Sequence, residues 1–544
     1  MNILLTIFFE NDIPLQAYYD HFYNWLCKNL PTANVKILMI EKYFNENGSL
    51  HIVDNLNPIL LQNSEVYDIF NTEDFSEIYE KVHFVGLNEI ENHKLSEIIK
   101  NKLNDWVPDI TISQGYKSAY KLWAKVFPNT LCLNQENAIF SRQPFLRTLS
   151  YDPYNSVPDN FPVRFADKIK QFEITEEDNL KVEKLKRAIT GIVDKYSKLD
   201  DEMIFYYKQK FDKLVLLPLV GDKYITLLKD CIYDTEQELV EKVMEKTPKN
   251  VGVFVTQADA YASLTPENID YFSNKYPNFI YLKKTDKRGY ANNSLNYFKY
   301  IDAVFNITSK TGYMAMLWDK PVLSLAKIYN NWYKDAQGLD ELDKVLYTPY
   351  KNKNNILYWY FTRYVTFEQD FSKENFLYNY LQEKMKKYLN EGATFDFFEE
   401  INSIDKVLDY ILKPVLSYYE NIENEKNILF DTINKLQNEM NYVLVQTNDT
   451  VAQVNNAINN YVKQNDLNII ELHNRTDELS KKLEYITENQ NKKIQNINSK
   501  LEYLLEKQNK PNFLQQIFSV KNEETHKVIR FLGLKIKIRR NKNG

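Results

Sequence analysis

The sequence predicts an α/β protein in which two parallel-sheet domains are followed by a long α-helical coiled coil. Apolar, β-branched runs alternate with helical segments between residues 3 and 134 and again between 213 and 326, which is the βαβ pattern of parallel sheets covered by helices. Residues 415–510 contain neither Gly nor Pro, and their apolar residues recur at spacings of three and four. A length of 544 residues also exceeds what one hydrophobic core supports.

Composition and charge exclude several classes of protein. A hydrophobic content of 44% suffices for packed cores, and a net charge of −6 argues against a general nucleic-acid binder. The cysteines Cys27, Cys132 and Cys231 are too far apart for a disulfide framework or a four-ligand zinc site, so a reducing cytoplasm fits. Residues 1–10 lack the basic start of a signal peptide and predict a first buried strand, and no apolar run is long enough to span a membrane.

Changes of pattern divide the chain into five parts. The first alternating series ends in a stretch without clear periodicity from Gln135 to Phe145, followed by several prolines, and we predict a long ordered loop there. The predicted parts are a first Rossmann-like domain at 1–165, a second at 166–352, helices packing back on both at 353–414, the coiled coil at 415–510 and a basic, apolar tail at 511–544. Two consecutive sheets of this kind are expected to enclose a cleft.

The coiled-coil prediction rests on apolar spacing. The pattern runs through Leu429, Ile433 and Leu436, and it resumes between Ile469 and Leu504. Such a seam favours intermolecular pairing and hence a homo-oligomer. The alternative is a long helical hairpin packed on itself.

The tail combines positive charge with apolar residues. Eight Lys and Arg residues against two Glu residues leave a net charge of +6 between 511 and 544. This mixture suits an anionic membrane surface, with an attraction that salt screens and an insertion of Phe531 and Leu532 that resists salt. The alternation from Leu534 to Arg539 favours a strand, and the alternative is a small β-hairpin packed on the coiled coil.

The candidate binding residues follow three strands of the second domain, because the carboxyl ends of parallel strands line the ligand crevice of an open sheet. The first group is Gly221-Asp222-Lys223, the second is Gln257, and the third is Thr308-Ser309-Lys310-Thr311-Gly312. In the third group, hydroxyl residues occupy the place of a helix N-cap, where free backbone N–H groups and a helix dipole suit a phosphate or carboxylate. Lys310 adds a full charge. The alternative is an ordinary capped helix.

Several motifs are missing from the sequence. It contains no Asp-x-Asp pair, no Gly-x-Gly-x-x-Gly and no Gly-x-x-x-x-Gly-Lys-Ser/Thr. No histidine lies between residues 94 and 472, which excludes a histidine base or a histidine-rich metal site in the second domain. The chemistry of the second domain is therefore expected at its strand ends.

The order of short motifs along residues 100–370 is similar to that of a known enzyme group. The motifs are Val215–Asp222, Val253–Gln257, Thr308–Met316 with Lys320-Pro321-Val322, and Glu136–Arg142 with Asp152-Pro153 in the preceding loop. Together they resemble bacterial capsule and O-antigen glycosyltransferases of the Kdo-transferase type, where Kdo is 3-deoxy-octulosonic acid. The tail from His526 to Lys537 resembles a terminal segment of many bacterial surface-polysaccharide glycosyltransferases.

This resemblance implies a GT-B fold, in which two Rossmann-like domains face a cleft. It implies a CMP-Kdo donor held by the second domain without metal or other cofactor, and transfer with retention to a glycan or lipid-linked acceptor at the inner face of the cytoplasmic membrane. It implies Asp222 as the nucleophile and Glu136, on the acceptor side, as the candidate acid/base. The donor would be held by Ser309 and Gly312, and the neighbouring donor-binding candidates are Lys310, Thr311, Gln257 and Lys223.

Two positions depart from the pattern of this group. Val220 stands where the group has a glutamine, and Gln257 stands where it has a histidine. Gln257 can donate a hydrogen bond to a phosphate but carries no charge, so another nucleotide sugar is an alternative donor. A third interpretation is a non-catalytic scaffold, a transferase-like fold whose coiled coil recruits partners.

Overall fold

The computed structural model describes most of the chain. By their contacts, the described residues as far as Leu416 form one compact unit, and those from Ser417 onward form a second. No helix in the described ranges is both long enough and apolar enough to cross a membrane. The described ranges are 1–7, 25–42, 58–82, 87–104, 106–114, 123–140, 145–154, 159–196, 201–221, 230–257, 262–282, 293–464, 469–507, 518–522, 526–531 and 534–539.

The first unit contains two sheets whose strands are mostly parallel, so the predicted α/β class is confirmed. Its strands are β1 (Asn2–Ile7), β2 (Asn34–Ile40), β3 (Ile59–Leu61), β4 (Ile110–Gln114), β5 (Leu131–Asn137), β6 (Thr148–Asp152), β7 (Lys213–Pro218), β8 (Val251–Thr256), β9 (Phe279–Tyr281), β10 (Ala303–Asn306), β11 (Val322–Ser324), β12 (Ala336–Gln337) and β13 (Thr366–Phe367).

The first sheet has the strand order β3-β2-β1-β4-β5-β6-β13. Strands β1 to β5 are parallel to their neighbours, whereas β6 runs antiparallel to both β5 and β13. Ile3, Leu4 and Leu5 in the central strand are all fully buried. Burial on both faces explains why β1 reads as a continuous apolar run rather than as an alternating one.

The region predicted as a loop after residue 135 is part of this sheet. Strand β5 continues to Asn137, and Glu136 pairs with Ser150 of β6. The polar run Gln135-Glu136-Asn137 has no alternation by which a strand is recognised, and pairing with its neighbours, β6 above all, keeps it extended. The segment predicted as helices at 353–414 also contains a strand, because Thr366–Phe367 returns to the first sheet as its edge.

The second sheet has the order β9-β8-β7-β10-β11-β12, with every neighbouring pair parallel. Counted from β7, this is the 3-2-1-4-5-6 order of doubly wound sheets. Strands β7 and β10 are neighbours at the centre, although β8 and β9 lie between them in the sequence. The order therefore reverses between β7 and β10.

Several helices begin after a residue whose side chain caps them. The helix Pro266–Lys275, for example, starts after Thr265, whose hydroxyl accepts a hydrogen bond from the Asn268 N–H, and has proline at its first position. The described helices are Asn63–Phe70, Phe75–Glu80, Glu89–Leu103, Phe161–Arg164, Ala166–Lys170, Glu176–Tyr196, Asp201–Lys210, Glu236–Lys246, Pro266–Lys275, Thr311–Ala315, Leu342–Tyr347, Asn354–Trp359, Phe376–Glu391, Ile404–Gln464 and Ile469–Lys507.

Buried polar contacts connect the segments that pass between the two sheets. The Asp152 carboxylate is 1% exposed and accepts hydrogen bonds from the Phe161 N–H and the Tyr364 hydroxyl, both at 2.7 Å. The Lys186 ammonium donates to Asp319 at 2.6 Å and to Glu183 at 2.8 Å. Because buried charges are costly without partners, these contacts fix the position of the connecting helices on the second sheet.

The second unit contains most of two long helices. The first, Ile404–Gln464, begins in the first unit, and the second is Ile469–Lys507. The Arg475 guanidinium donates to the Tyr461 hydroxyl at 2.9 Å. In one straight helix, residues 14 positions apart would lie about 21 Å apart. The chain therefore does not continue as one straight helix through both segments, and pairing of these helices, with a second chain or with each other, stays a prediction.

The tail forms a three-stranded antiparallel sheet, in agreement with the predicted strand at its end. Its strands are β14 (Phe518–Asn522), β15 (His526–Phe531) and β16 (Leu534–Arg539), with β15 in the centre. Residues Leu532 and Gly533 between the last two strands lie outside the described residues.

Lys384, in the helix Phe376–Glu391, is buried beside aromatic rings. Its ammonium donates to the Phe397 carbonyl at 2.7 Å and lies 4.8 Å from the centre of the Phe398 ring. Burial lowers the pKa of Lys384 to about 7, although the carboxylates of Glu399 and Glu383 oppose this shift. In the folded chain the Lys384 ammonium therefore loses its proton at a much lower pH than an exposed lysine does.

We expect the stability of the first unit to rise with pH because of Lys384. Between about 7 and 10.5 the unfolded chain binds this proton more tightly than the folded chain does, so the free energy of unfolding increases with pH by up to about 1.4 kcal/mol per unit. Urea unfolding at a series of pH values measures this slope. Lys384→Met should remove the increment, whereas Lys386→Met, at an exposed lysine of the same helix, should retain it. An unchanged slope in Lys384→Met would contradict the assignment.

Candidate active site

The site candidates lie where the strand order of the second sheet reverses. Ligands of open α/β sheets bind in the crevice at the carboxyl ends of the two strands that flank such a reversal. Here those strands are β7, which leads to Gly221, and β10, which leads to the turn at 308–312. The two sequence motifs predicted independently therefore end at the same crevice.

The turn after β10 is closed by its own hydrogen bonds. The Thr311 N–H donates to the Ser309 hydroxyl at 3.3 Å, and the N–H groups of Gly312 and Tyr313 donate to the carbonyls of Ser309 and Lys310, both at 3.0 Å. The predicted free N–H groups are therefore occupied at these three positions. The helix that follows, Thr311–Ala315, has only five residues, so its dipole adds little. What the turn offers a ligand is the Ser309 hydroxyl and the Lys310 ammonium.

Gly312 is required by a buried polar network beneath the turn. A Cβ atom at this position would lie 2.4 Å from Asn306 Nδ2 and 2.6 Å from the Tyr333 hydroxyl oxygen. Asn306 donates to that hydroxyl at 3.0 Å, and Asn330 donates to the Ile307 carbonyl at 2.7 Å. Asn306, Asn330 and Tyr333 are all fully buried. The network holds the end of β10 and the turn in one arrangement, and only glycine lets the turn approach it.

Glu136 and Lys310, predicted separately, are in contact. The Lys310 ammonium lies 3.0 Å from Glu136 Oε1, and that oxygen also accepts the N–H of Asn137 at 3.0 Å. The Lys310 side chain is 28% exposed and the Glu136 side chain is 21% exposed, so the pair is accessible at the rim of the crevice. Glu136 belongs to the first sheet and Lys310 follows the second. The structure therefore brings the candidate acid/base of one half into contact with the turn predicted to bind the donor in the other.

An aromatic cluster lies behind this contact. Tyr313 follows the turn directly, and its ring centre lies 5.0 Å from that of Trp332 and 5.9 Å from that of Tyr360. The Tyr360 hydroxyl accepts the N–H of Ile139, three residues after Glu136, at 3.1 Å. Burial raises the pKa of Tyr360, and the Glu136 carboxylate raises it further. This cluster connects the turn of the second sheet to the loop of the first, so the two sides of the crevice are rigidly spaced.

Glu236 is a buried residue that the sequence did not indicate as part of the site. Its carboxylate, fully buried, accepts the N–H of Gly221 at 2.8 Å and the N–H of Val220 at 2.5 Å, and it also binds the Ser263 hydroxyl. Gly221 has a φ of 98°, a conformation that favours glycine. Together they fix the chain where it approaches Asp222. Glu236 directly follows Thr235, the N-cap of its helix. Acidic residues are common in the first turn of a helix, so the local sequence does not mark Glu236 as a site residue.

The remaining candidates are Asp222, Lys223, Gln257 and Thr311. Asp222 and Lys223 lie outside the described residues. Gln257 follows β8 as predicted, and its amide donates to the Tyr281 hydroxyl at 2.8 Å and exchanges two hydrogen bonds with Leu264, each at 3.1 Å. In this structure the Gln257 amide therefore holds the loop that leads into the next helix. The Thr311 hydroxyl accepts a hydrogen bond from Ser309 at 2.9 Å.

Comparisons with known proteins give likeness in fold only. No protein-family model matches the chain, and no curated protein matches its sequence. Among solved structures, KpsC of Thermosulfurimonas dismutans, a β-Kdo 2,7 transferase, has 14% identity and a TM-score of 0.30, over 47% of this chain and 80% of that one. A UDP-GlcNAc 2-epimerase from Methanocaldococcus jannaschii, in complex with UDP-GlcNAc and UDP, has 11% identity and a TM-score of 0.27, over 65% and 97%.

A glycosyl transferase of family 9 from Veillonella parvula has 10% identity and a TM-score of 0.19, over 69% of this chain and 97% of that one. Identities and TM-scores this low do not assign a role to any residue of this chain, so only the contacts of its own residues bear on their roles.

Proposed function

We propose that the chain is a glycosyltransferase of surface-polysaccharide synthesis with a GT-B arrangement of two Rossmann-like domains. Its donor would be a nucleotide sugar, in the first instance CMP-Kdo, and its acceptor a glycan or a lipid-linked glycan of capsule or lipopolysaccharide. The observation that carries the proposal is the contact between Glu136 and Lys310, because it joins a residue from each sheet at the reversal point of the second sheet. A group-transfer enzyme needs such a place, where donor and acceptor meet.

The proposed roles follow from the chemistry of each side chain. Ser309 and Lys310 would bind the donor phosphate or carboxylate, since a hydroxyl and an ammonium both donate hydrogen bonds to anions. Asp222, directly after Gly221, would attack the anomeric carbon, break its bond to the nucleotide and form a covalent sugar intermediate, with the nucleotide leaving as its phosphate anion. Glu136 would then take the proton of the acceptor hydroxyl as general base, and the acceptor oxygen would displace the Asp222 carboxylate from the anomeric carbon.

Retention follows from this sequence of steps, because each of two displacements inverts the anomeric centre. We propose that the donor is bound without metal, which the absence of an Asp-x-Asp pair in the sequence supports. Gln257 brings no charge to the donor, and its amide is held by Leu264 and Tyr281. A donor other than CMP-Kdo is therefore the main alternative, and a non-catalytic scaffold is the second.

The second unit would keep the enzyme at its acceptor. We propose that the tail holds the chain at the inner face of the cytoplasmic membrane. Homo-oligomers remain a proposal as well, through the helix Ile404–Gln464, where Phe430, Tyr442 and Val445 are more than half exposed. The same helix of a second copy would cover these residues.

A nucleotide-binding screen tests the function. Thermal shift of the whole chain with CMP, UDP and GDP should single out one nucleotide, because a ligand that binds only the folded state raises the unfolding temperature. Lys310→Ala should weaken binding of that nucleotide sugar by about tenfold or more, since a charge-assisted hydrogen bond contributes about 1.5–3 kcal/mol. Ser309→Ala should cost about 1 kcal/mol, as for a neutral hydrogen bond.

The matched control is Lys242→Ala, which removes an ion-paired lysine in the middle of the helix Glu236–Lys246. It should leave the shift unchanged. If no nucleotide raises the unfolding temperature, the transferase proposal fails and the non-catalytic scaffold is favoured. If a nucleotide binds equally well to Lys310→Ala, Lys310 serves Glu136 alone and does not contact the donor.

A further inference from the structure

The candidate acid/base and a donor-binding candidate are each other's partners at the rim of the crevice. Among the described residues, the contact of the Lys310 ammonium is with Glu136 Oε1, at 3.0 Å. The same oxygen accepts the N–H of Asn137, also at 3.0 Å. Because a carboxylate oxygen offers about two lone pairs, Glu136 Oε1 is fully used while Lys310 remains on it. This oxygen can accept a further hydroxyl only when the ammonium leaves.

This ion pair is not needed to hold the two halves of the first unit together. Buried contacts do so, since the Tyr360 ring stacks on Trp332 with the ring centres 5.4 Å apart, and the Tyr360 hydroxyl accepts the Ile139 N–H at 3.1 Å. An ion pair whose side chains are 28% and 21% exposed adds little to stability by comparison. The contact between Lys310 and Glu136 can therefore open at little cost to the fold.

Only side chains have to move for the pair to open. Glu136 lies in β5, opposite Ser150 of β6, and the turn that carries Lys310 is closed by the hydrogen bond from the Thr311 N–H to the Ser309 hydroxyl. The backbone is therefore fixed on both sides. The lysine side chain, in contrast, is a flexible four-carbon stem, and both charged groups are partly exposed. Lys310 can exchange one anion for another by rotation of its own side chain.

A donor anion and the Glu136 carboxylate carry charge of the same sign. If the donor phosphate or carboxylate binds Lys310, it approaches the place that the Glu136 carboxylate takes in this structure, 3.0 Å from the ammonium. Two anions at one ammonium repel each other, and they compete for its N–H groups. Donor binding at Lys310 and the contact between Lys310 and Glu136 therefore oppose each other.

We propose that Glu136 is an internal competitor for the donor anion, and that the donor displaces it from Lys310 on binding. The inference rests on the transferase function proposed above and assigns a regulation to the same site. Displacement frees Glu136 Oε1, which can then take the proton of the acceptor hydroxyl. The general base thus becomes available only once the donor is in place, so the donor binds before the acceptor reacts.

Glu136→Gln tests the competition, because the amide keeps the size of the side chain and removes its charge. The whole chain is titrated by calorimetry with CMP, UDP and GDP. The nucleotide that binds the natural chain should bind Glu136→Gln about fivefold more tightly, which corresponds to the loss of an exposed ion pair of about 1 kcal/mol. Transfer from the sugar conjugate of that nucleotide should fall, because an amide takes no proton from the acceptor. Binding and turnover should therefore change in opposite directions.

Glu245→Gln is the matched control, since it removes the same charge from an exposed pair with Lys242. Its affinity for the nucleotide should equal that of the natural chain. In a Lys310→Ala background, Glu136→Gln should change the affinity less than twofold, because no ammonium is left to release. A fivefold gain that persists in this background would show that the carboxylate repels the donor directly, and competition for Lys310 would be wrong.

Stability and binding distinguish the remaining outcomes. The urea midpoint of Glu136→Gln should match that of the natural chain, and a large decrease would assign the ion pair a structural role instead. Equal or weaker nucleotide binding by Glu136→Gln would overturn this inference and leave the transferase proposal intact. Absence of nucleotide binding by both the natural chain and Glu136→Gln would refute the transferase proposal, and this inference with it.

Discussion

Asp222→Asn is expected to abolish sugar transfer while leaving nucleotide binding nearly intact. The amide has the shape of the carboxylate but cannot form the bond to the anomeric carbon, and loss of a nucleophile typically costs about four orders of magnitude or more in turnover. Glu236 binds the N–H groups of Val220 and Gly221, the two residues that precede this aspartate in the sequence. Turnover with the nucleotide sugar identified by thermal shift is the primary measurement.

The control variant changes a second aspartate, at the other end of strand β7. Asp212 lies at the amino end of β7, where its carboxylate accepts a hydrogen bond from Asn250, and Asp212→Asn should transfer sugar at a nearly normal rate. Mass spectrometry of the natural chain, quenched during turnover, should detect a sugar on the peptide that contains Asp222. Turnover within tenfold of normal in Asp222→Asn would exclude the aspartate as nucleophile.

Gly312→Ala is expected to destabilise the first unit by about 3 kcal/mol and to abolish donor binding. The added methyl group would lie closer than 3.0 Å to Asn306 and Tyr333, and neither side chain can withdraw without breaking buried hydrogen bonds. Overpacking costs about 1–3 kcal/mol, and an unpaired buried polar group costs a similar amount. Urea unfolding measures the first effect, and the nucleotide thermal shift measures the second.

Gly191→Ala is the matched control, because it adds the same methyl group at a site without neighbours. Gly191 lies within the helix Glu176–Tyr196, and a Cβ there would meet nothing within 4 Å. Alanine exceeds glycine in helix propensity by about 1 kcal/mol, so this variant should be more stable. Equal stability of the two variants would show that the network beneath the turn tolerates the methyl group.

The strands and helices of the second sheet are predictable because their signals are local. Val251–Thr256 is a buried apolar run, and Pro266–Lys275 has a threonine cap and a first-position proline, so both can be recognised from sequence alone. The strand at Gln135–Asn137 cannot, since its residues are polar and it is formed by pairing with distant segments, mainly β6. The edge strand Thr366–Phe367 was missed for a related reason, because two residues are too few for any periodicity.

In the candidate site too, the parts that depend on local sequence are predictable and the contacts between distant residues are not. The turn Ser309–Gly312 was predictable because a strand, a hydroxyl cap and a glycine are adjacent in the sequence. Its contact with Glu136 joins residues 174 positions apart, and no local pattern encodes such a pair. The role of Glu236 was hidden because its partners Val220 and Ser263 are distant in the sequence, and its own surroundings indicate only the start of a helix.

The return of the chain to form β13 has a consequence for any attempt to divide the protein. The first sheet is completed by Thr366–Phe367, which the chain supplies only after it has passed through the whole second sheet. A fragment that ends near residue 165 would leave β6 as an open edge, with unpaired backbone N–H and C=O groups able to capture another extended chain. Ribosomal synthesis delivers the first half well before its last strand. The nascent chain therefore passes through a period in which this edge is open to pairing with other chains and vulnerable to aggregation.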